Sequence, residues 1–465
     1  MIPISRRSLL LGSATAGLGL ASLPLLPAHA QPVVQKLTVV PGRFPLTAAG
    51  VTEAMMCYNG DAPPPVLRLK QGVPARIEVT NGLQEVTTVH WHGLRVPNAM
   101  DGVPWLTQYP IGTGETFVYE FTPEDAGTFW YHPHCNTLEQ ISRGLAGMII
   151  VDEAQDQDFD ADIPVLIRDF RLGSDGQFIE FYKPRNLARG GTLGTVNTAN
   201  WSETPVAETA SGSLIRLRLA ITDVTRVYQL KLRGADGAVL SWDGQPIDEP
   251  IRLAPDTPLV LGPGQRADLA VAMSSQPAEL FMILPDKSEH VLLTLNPTGS
   301  DRGRGMANLR ALPPNPLAKP DLTSAGTIDL VFGWSASGDA PNSGGLCGDV
   351  PLRFWSINRK PWTGDSPPDP TNPGEPLAVM ERDKTYILNL LNETQNDHPI
   401  HLHGLVMHDL GPDGQPNGRR GDTILLRSHD SARVAVVADS PGDWVIHCHV
   451  IEHQKTGLAG FVRVT

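Results

Sequence analysis

The chain has 465 residues, a formal charge of −13, abundant Gly and Pro, 6% aromatics and only four Cys. An acidic chain without a basic block is a poor partner for nucleic acid, and four scattered Cys are too few for a disulfide framework. The length leaves room for two to four domains, and the Gly and Pro content suits a loop-rich soluble protein.

The first feature in chain order is a leader. Ser5-Arg6-Arg7-Ser8-Leu9-Leu10 is a twin-arginine pattern, followed by a weakly apolar run and by Ala28-His29-Ala30, an A-x-A cleavage site. The run is too short and too diluted by Gly, Ser and Thr for a membrane anchor. Residues 1–30 are expected to be removed and the mature protein exported to a periplasm-like compartment. No other segment is apolar enough to predict a membrane span. An oxidising compartment permits a disulfide among Cys57, Cys135 and Cys347, and the sequence does not choose the pair.

From residue 35 the pattern is strand-like. Phe117, Tyr119 and Phe121 alternate with Val118 and Glu120, and Ile215, Leu217 and Leu219 alternate with Arg216 and Arg218. Such period-2 runs, cut by turn residues, predict an all-β protein of antiparallel sandwiches with no long amphipathic helix. The chain also repeats itself. FVYEFTPEDAGTFWYHPH (117–134) and ARVAVVADSPGDWVIHCH (432–449) both run from a strand through a turn to Gly, then His five residues later, then His-x-His. GLAGMIIV (144–151) and GLAGFVRV (457–464) follow, and HWHG is answered by HPIHLHG. Between the copies, 213–232 and 261–272 read as a third unit without clustered histidines. The boundaries expected are 36–155, 156–310 and 325–465, with LPPNPLAKP (312–320) as a linker and 360–376 as a long surface loop.

Fourteen His are present, and ten fall in four motifs: His90-Trp91-His92, His132-Pro133-His134, His398-Pro-Ile-His401-Leu-His403, and His447-Cys448-His449 with His453. Composition alone would produce about 0.4 H-x-H pairs, so one pair means little, whereas four at matching points of a repeat do not arise by chance. Residues i and i+2 of a strand share a face, so each pair aims two imidazoles at one point. His290, His408 and His429 stand alone and read as surface or satisfied polar residues. A His2Cys set, His398, Cys448 and His453, with a weak or absent axial ligand is a blue-copper pattern, and eight further His exceed what one zinc uses.

The four signatures HWHG, WYHPH, HPIHLHG and HCHVIEHQKTGL make the chain resemble the multicopper oxidase family, the laccase-like proteins, over nearly its whole mature length. The combination with MDGVP is most similar to the bacterial three-domain branch, which includes proteins associated with manganese oxidation. The resemblance implies three cupredoxin-like Greek-key β-sandwich domains and four copper ions. His398, Cys448 and His453 match type 1 ligands, His90 and His401 type 2 ligands, and His92, His132, His134, His403, His447 and His449 the type 3 pair. It further implies that electrons pass from the type 1 site through Cys448 to His447 and His449, where dioxygen is reduced to two waters. Asp101 matches the family's proton donor.

Three departures follow. Leu458, ten residues after Cys448, stands where many bacterial relatives have an axial Met. It cannot coordinate, which predicts a raised potential. Gln454 stands where some bacterial relatives carry a Glu just after the last type 1 histidine, and an amide cannot shuttle protons as an acid. Only ten Met, in no cluster beyond Met55-Met56, count against a dedicated cuprous oxidase. The default donor is a phenol or aromatic amine reaching the exposed edge of a type 1 histidine. Mn(II), Fe(II) or Cu(I) oxidation, and copper binding or electron transfer without turnover, are the alternatives. A monomer is expected.

Overall fold

The computed structural model describes residues 33–155, 157–335, 347–348, 350, 352–367, 369 and 371–465. The leader lies outside these residues. Among them, strands dominate and form six sheets. The helices are short: Thr137–Ser142, Pro184–Leu187 and Ile451–Lys455, with two 3₁₀ turns. Among the described residues no helix is long and apolar enough to cross a membrane.

The sheets pack in three pairs, each around its own core. Strands between Val33 and Asp152 form two four-stranded sheets, strands between Ala161 and Thr298 a six- and a five-stranded sheet, and strands between Gly326 and Val464 another six- and five-stranded pair. Leu37, Ile77 and Tyr119 meet Trp91, Tyr131 and Ile149 in the first core. Leu217 and Leu269 meet Leu280 and Leu295 in the second. Leu388 and Val434 meet Ile400 and Ile446 in the third. The fold is all-β, built of cupredoxin-like sandwiches.

Alternation explains the local structure. Tyr119 and Phe121 of Thr116–Phe121 enter the core while Glu120 is exposed. In Leu214–Ile221 the apolar face is likewise inward, yet the Arg face is buried too. Arg216 pairs with Glu153 and Asp268, and Arg218 with Asp162. Thr128 of the first sheet pair donates to Asp268. This buried charge network seats the second sandwich on the first, and its members are tolerated there because each is paired.

The Pro-rich stretch is strapped down: Asn315 donates to the carbonyls of Ala126 and Gly244, at 3.0 and 3.1 Å. The segment 360–376 is only half a surface loop. Trp362 and Asp365 are buried, and Asp365 accepts from Lys455 at 3.0 Å. A loop that supplies the counter-ion of a buried Lys must fold inward.

Cys135 and Cys347 form a disulfide spanning 212 residues, and Cys57 is free and buried. The bond ties the residue after His134 to the third part of the chain.

Candidate metal centres

The strand Gly442–Cys448 organises both centres. It pairs with His398–Leu402 in the register Ile400↔Cys448, His401↔His447 and Leu402↔Ile446. Side-chain alternation puts Cys448 inward, in the core cluster with Ile400, Leu402 and Ile446. His401 and His447 take the other face, where the first sheet pair arrives.

On the inward face, three ligand-capable atoms converge. Cys448 Sγ lies 3.5 Å from Nδ1 of His398 and 3.5 Å from Nδ1 of His453, and those two nitrogens are 3.1 Å apart. A point equidistant from all three is about 2 Å from each, a metal–nitrogen bond length. His453 reaches the site because the chain turns after Cys448 into the helix Ile451–Lys455. The far nitrogens are fixed. His398 Nε2 donates to Thr394 Oγ1 at 2.8 Å, whose own proton goes to Asn392 Oδ1, and His453 Nε2 donates to the Arg189 carbonyl. Burial drives His453 down to about 4 and His398 well below the usual histidine range, the latter also through His453. Both Nδ1 lone pairs are therefore free for a metal. Leu458 is fully buried in the same cluster. Neither His398 nor His453 exposes any surface. The exposed histidine edge expected from the sequence does not exist, because Trp355 lies against both rings and their far nitrogens meet Thr394 and the Arg189 carbonyl.

On the opposite face eight buried His gather. The strand His90–His92 pairs with Gly127–His132, placing His90 opposite His132. Ring nitrogens of His90, His92 and His132 lie within 4.8 Å of one another, as do those of His90, His401 and His403 and those of His134, His403 and His447. His449 faces His92 and His132, with centroids at 4.9 and 5.3 Å. Nε2 of His90, His132, His401, His403 and His447, Nδ1 of His92 and His134, and both nitrogens of His449 lack a hydrogen-bond partner. So many orphaned buried nitrogens would be costly unless metal ions satisfied them. Burial and the neighbouring imidazoles hold His92, His132, His134, His447 and His449 well below their usual range and His403 down to about 3. They are neutral, as ligands must be.

Two carboxylates frame this cluster in the same way. The Asp101 carbonyl accepts from His90 Nδ1 at 2.8 Å, and its Oδ2 accepts from His403 Nδ1 at 2.9 Å. The Asp422 carbonyl accepts from His401 Nδ1 at 3.0 Å, and its Oδ1 accepts from His92 Nε2 at 3.1 Å. Each Asp holds a histidine of its own copy through the backbone and one of the other copy through the carboxylate. The clamped pairs stack, His90 on His403 at 3.9 Å and His92 on His401 at 3.7 Å. Burial pushes both carboxyls up, but the groups facing them outweigh it and hold both below the usual range. His403 and His90 do this for Asp101, Arg266 chiefly for Asp422.

Arg266, on Arg266–Ala272 of the second sandwich, donates to Asp422 with both terminal nitrogens, NH1 at 2.8 Å. Sequence reasoning found Asp101 and missed Asp422, Arg266 and Thr394. The repeat carried a signal for Asp422, since each copy has an Asp downstream of its first H-x-H, but at different spacing. Gln454 comes within 3.5 Å of His134, and its Oε1 has no partner. Of the isolated histidines, His408 is buried rather than superficial, and burial followed by the nearby Arg420 lowers it to about 4.

An all-β chain with a buried His2Cys set backed by eight His on the opposite face is a multi-metal redox protein. Two stretches, 44–156 and 348–465, match the family described as multicopper oxidase. A crystallised multi-copper oxidase from Pseudomonas thermotolerans is 35% identical, with 94% of this chain and 100% of that chain covered and a TM-score of 0.83. Multicopper oxidase MmcO of Mycobacterium tuberculosis is 28% identical over 93% of this chain and 87% of its own length. Laccase-2 of Botryotinia fuckeliana is 26% identical over 89% and 79%. The chain belongs to the multicopper oxidase family. It is a copper-dependent oxidoreductase that takes electrons from a reducing substrate and passes them to dioxygen.

Proposed function

We propose that this protein is a laccase-like oxidase with four coppers. His398, Cys448 and His453 would hold type 1 copper, His90 and His401 type 2, and His92, His132, His134, His403, His447 and His449 the type 3 pair. The observation that carries the reading is the split strand: Cys448 stands in one site and its neighbours His447 and His449 in the other. When bound, copper supplies the one-electron couples that oxidise the donor four times and reduce dioxygen to two waters.

The chain's own contribution is placement. Cys448 gives a covalent path of one residue on either side between the sites. Thr394 and the Arg189 carbonyl fix the tautomers of His398 and His453. Asp101, buried between His90 and His403, is the group positioned to hand a proton toward the cluster, and Gln454 contributes no acid. Leu458, buried in the same cluster as Cys448, offers no donor atom, which would raise the potential of a copper held by His398, Cys448 and His453. The domain limits 36–155, 156–310 and 325–465, removal of residues 1–30 with periplasmic export, and a monomeric state complete the reading.

The test is oxygen uptake by copper-loaded protein with a dimethoxyphenol, an aromatic diamine, Cu(I), Fe(II) and Mn(II), beside an absorption spectrum and a copper count. A strong thiolate-to-copper band with fast phenol turnover is expected. The same band with turnover on metal ions alone would make it a metallo-oxidase. Full copper without oxygen uptake from any donor would reduce it to a copper-binding or electron-transfer protein.

A further inference from the structure

The burial of His398 and His453 poses a problem: electrons come from outside, and neither ring meets solvent. Trp355 lies against both, with ring centroids 4.6 Å from His453 and 5.2 Å from His398. Its indole is fully buried, and its N–H donates to the Leu187 carbonyl at 2.7 Å, which fixes the ring plane. Trp334 stacks on Trp355, with centroids 4.2 Å apart and planes 18° from parallel. The two are cross-strand partners in register, on Gly326–Trp334 and Trp355–Ile357.

Trp334 owes its place to strand parity. Leu330 and Phe332 on the same face are buried in the third core, and two residues on the strand runs out at the end of the sandwich. Trp334 is 41% exposed. A singly exposed Trp needs no explanation. An exposed indole stacked on a buried indole that touches both histidines of a redox centre does, because it is a short, rigid π-path from solvent to the site.

We propose that Trp334 is the docking face for planar, electron-rich aromatic donors, and that the Trp334–Trp355 stack carries their electrons to the His398–Cys448–His453 site. This rests on the oxidase reading above. A phenol or aromatic amine stacks on the free part of the Trp334 ring. It loses one electron, and a phenol also releases its proton to solvent. The electron tunnels through the two indoles, which end unchanged, and reduces cupric ion in the site to cuprous. Tunnelling weakens steeply with distance, so two close ring-to-ring steps replace the direct contact that burial forbids. Selection then depends on stacking and donor potential rather than on an enclosing pocket.

The test uses copper-loaded protein without oxygen, following bleaching of the thiolate-to-copper band by a hydroquinone in stopped flow. Losing the stacking contact predicts a fall of up to about tenfold in Trp334→Ala, and most of the rate retained in Trp334→Tyr. Band position, midpoint potential and reoxidation by oxygen should stay as in the parent, which separates a lost path from a damaged site. In copper-free protein, a catechol should quench a component of tryptophan emission that Trp334→Ala lacks. An unchanged reduction rate in Trp334→Ala overturns the path while leaving the oxidase reading intact. A parent whose band is bleached by no aromatic donor overturns both. Trp355→Phe, which keeps a ring between Trp334 and the histidines, should be slowed less than Trp334→Ala, and the reverse order would overturn the docking role of Trp334.

Discussion

The two sides of the eight-histidine cluster look alike and differ chiefly in one charged contact. On each side an Asp clamps a stacked histidine pair, one ring from each copy of the repeat. Asp422 is also gripped by Arg266 and linked through it to Asp243, whereas no Lys or Arg among the described residues pairs with Asp101. A carboxylate locked by a guanidinium is a fixed negative charge, since protonating it would strand the buried cation. A carboxylate facing only imidazoles strands no cation when it takes up a proton, so it is the one free to accept and release it. On the function proposed above, near-symmetric geometry separates into a structural side and a chemical side. The sandwich without clustered histidines makes the distinction by sending in one Arg.

The sharpest way to break this comparison is to neutralise the chemical side. Asp101→Asn should keep its copper count and spectrum and lose about a hundredfold or more in turnover, as expected for a lost proton-transfer group. Unchanged oxygen uptake at full loading would remove Asp101 from the proton route. The structural side should fail differently. Arg266→Leu leaves Asp422 buried and unpaired, which should cost about 3–5 kcal/mol and lower copper occupancy in proportion. Thermal melts with metal analysis check it, and a fully loaded, equally stable variant would show that Arg266 does not hold the clamp.

Smaller effects sharpen the picture. Cys135→Ser opens a cross-link that spans 212 residues beside His134. It should cost about 2–5 kcal/mol in unfolding, with the same loss on adding reductant to the parent. The smallest change concerns the other centre: Leu458→Met should lower the type 1 potential without altering the eight-histidine cluster. Redox titration of both proteins decides it, and equal potentials would mean that Leu458 only packs.

Much of this was legible in the sequence. The four H-x-H motifs, the Cys between two histidines and the internal repeat are local patterns. Strand parity converts them into faces without knowledge of the fold. That is why Cys448 could be set against His447 and His449 before any coordinates, whereas grouping His90 and His92 with His401 and His403 rested on the resemblance to the family. Asp101 was legible only through its motif. Asp422, Arg266 and Thr394 were not: the repeat hints at Asp422 only at an altered spacing, and nothing near the other two marks them.

The sequence by itself determined the all-β class and which histidines of each H-x-H motif share a face, since both follow from covalent spacing and the two-residue period of a strand. The tertiary structure alone decided that Cys135 pairs with Cys347, that Asp422 rather than another acid forms the second clamp, that Arg266 locks it, and that both histidines of the Cys448 site lie under Trp355. Each is a meeting of segments tens to hundreds of residues apart. Such meetings depend on how three sandwiches dock, and docking follows from buried charge and shape that no short stretch of sequence encodes.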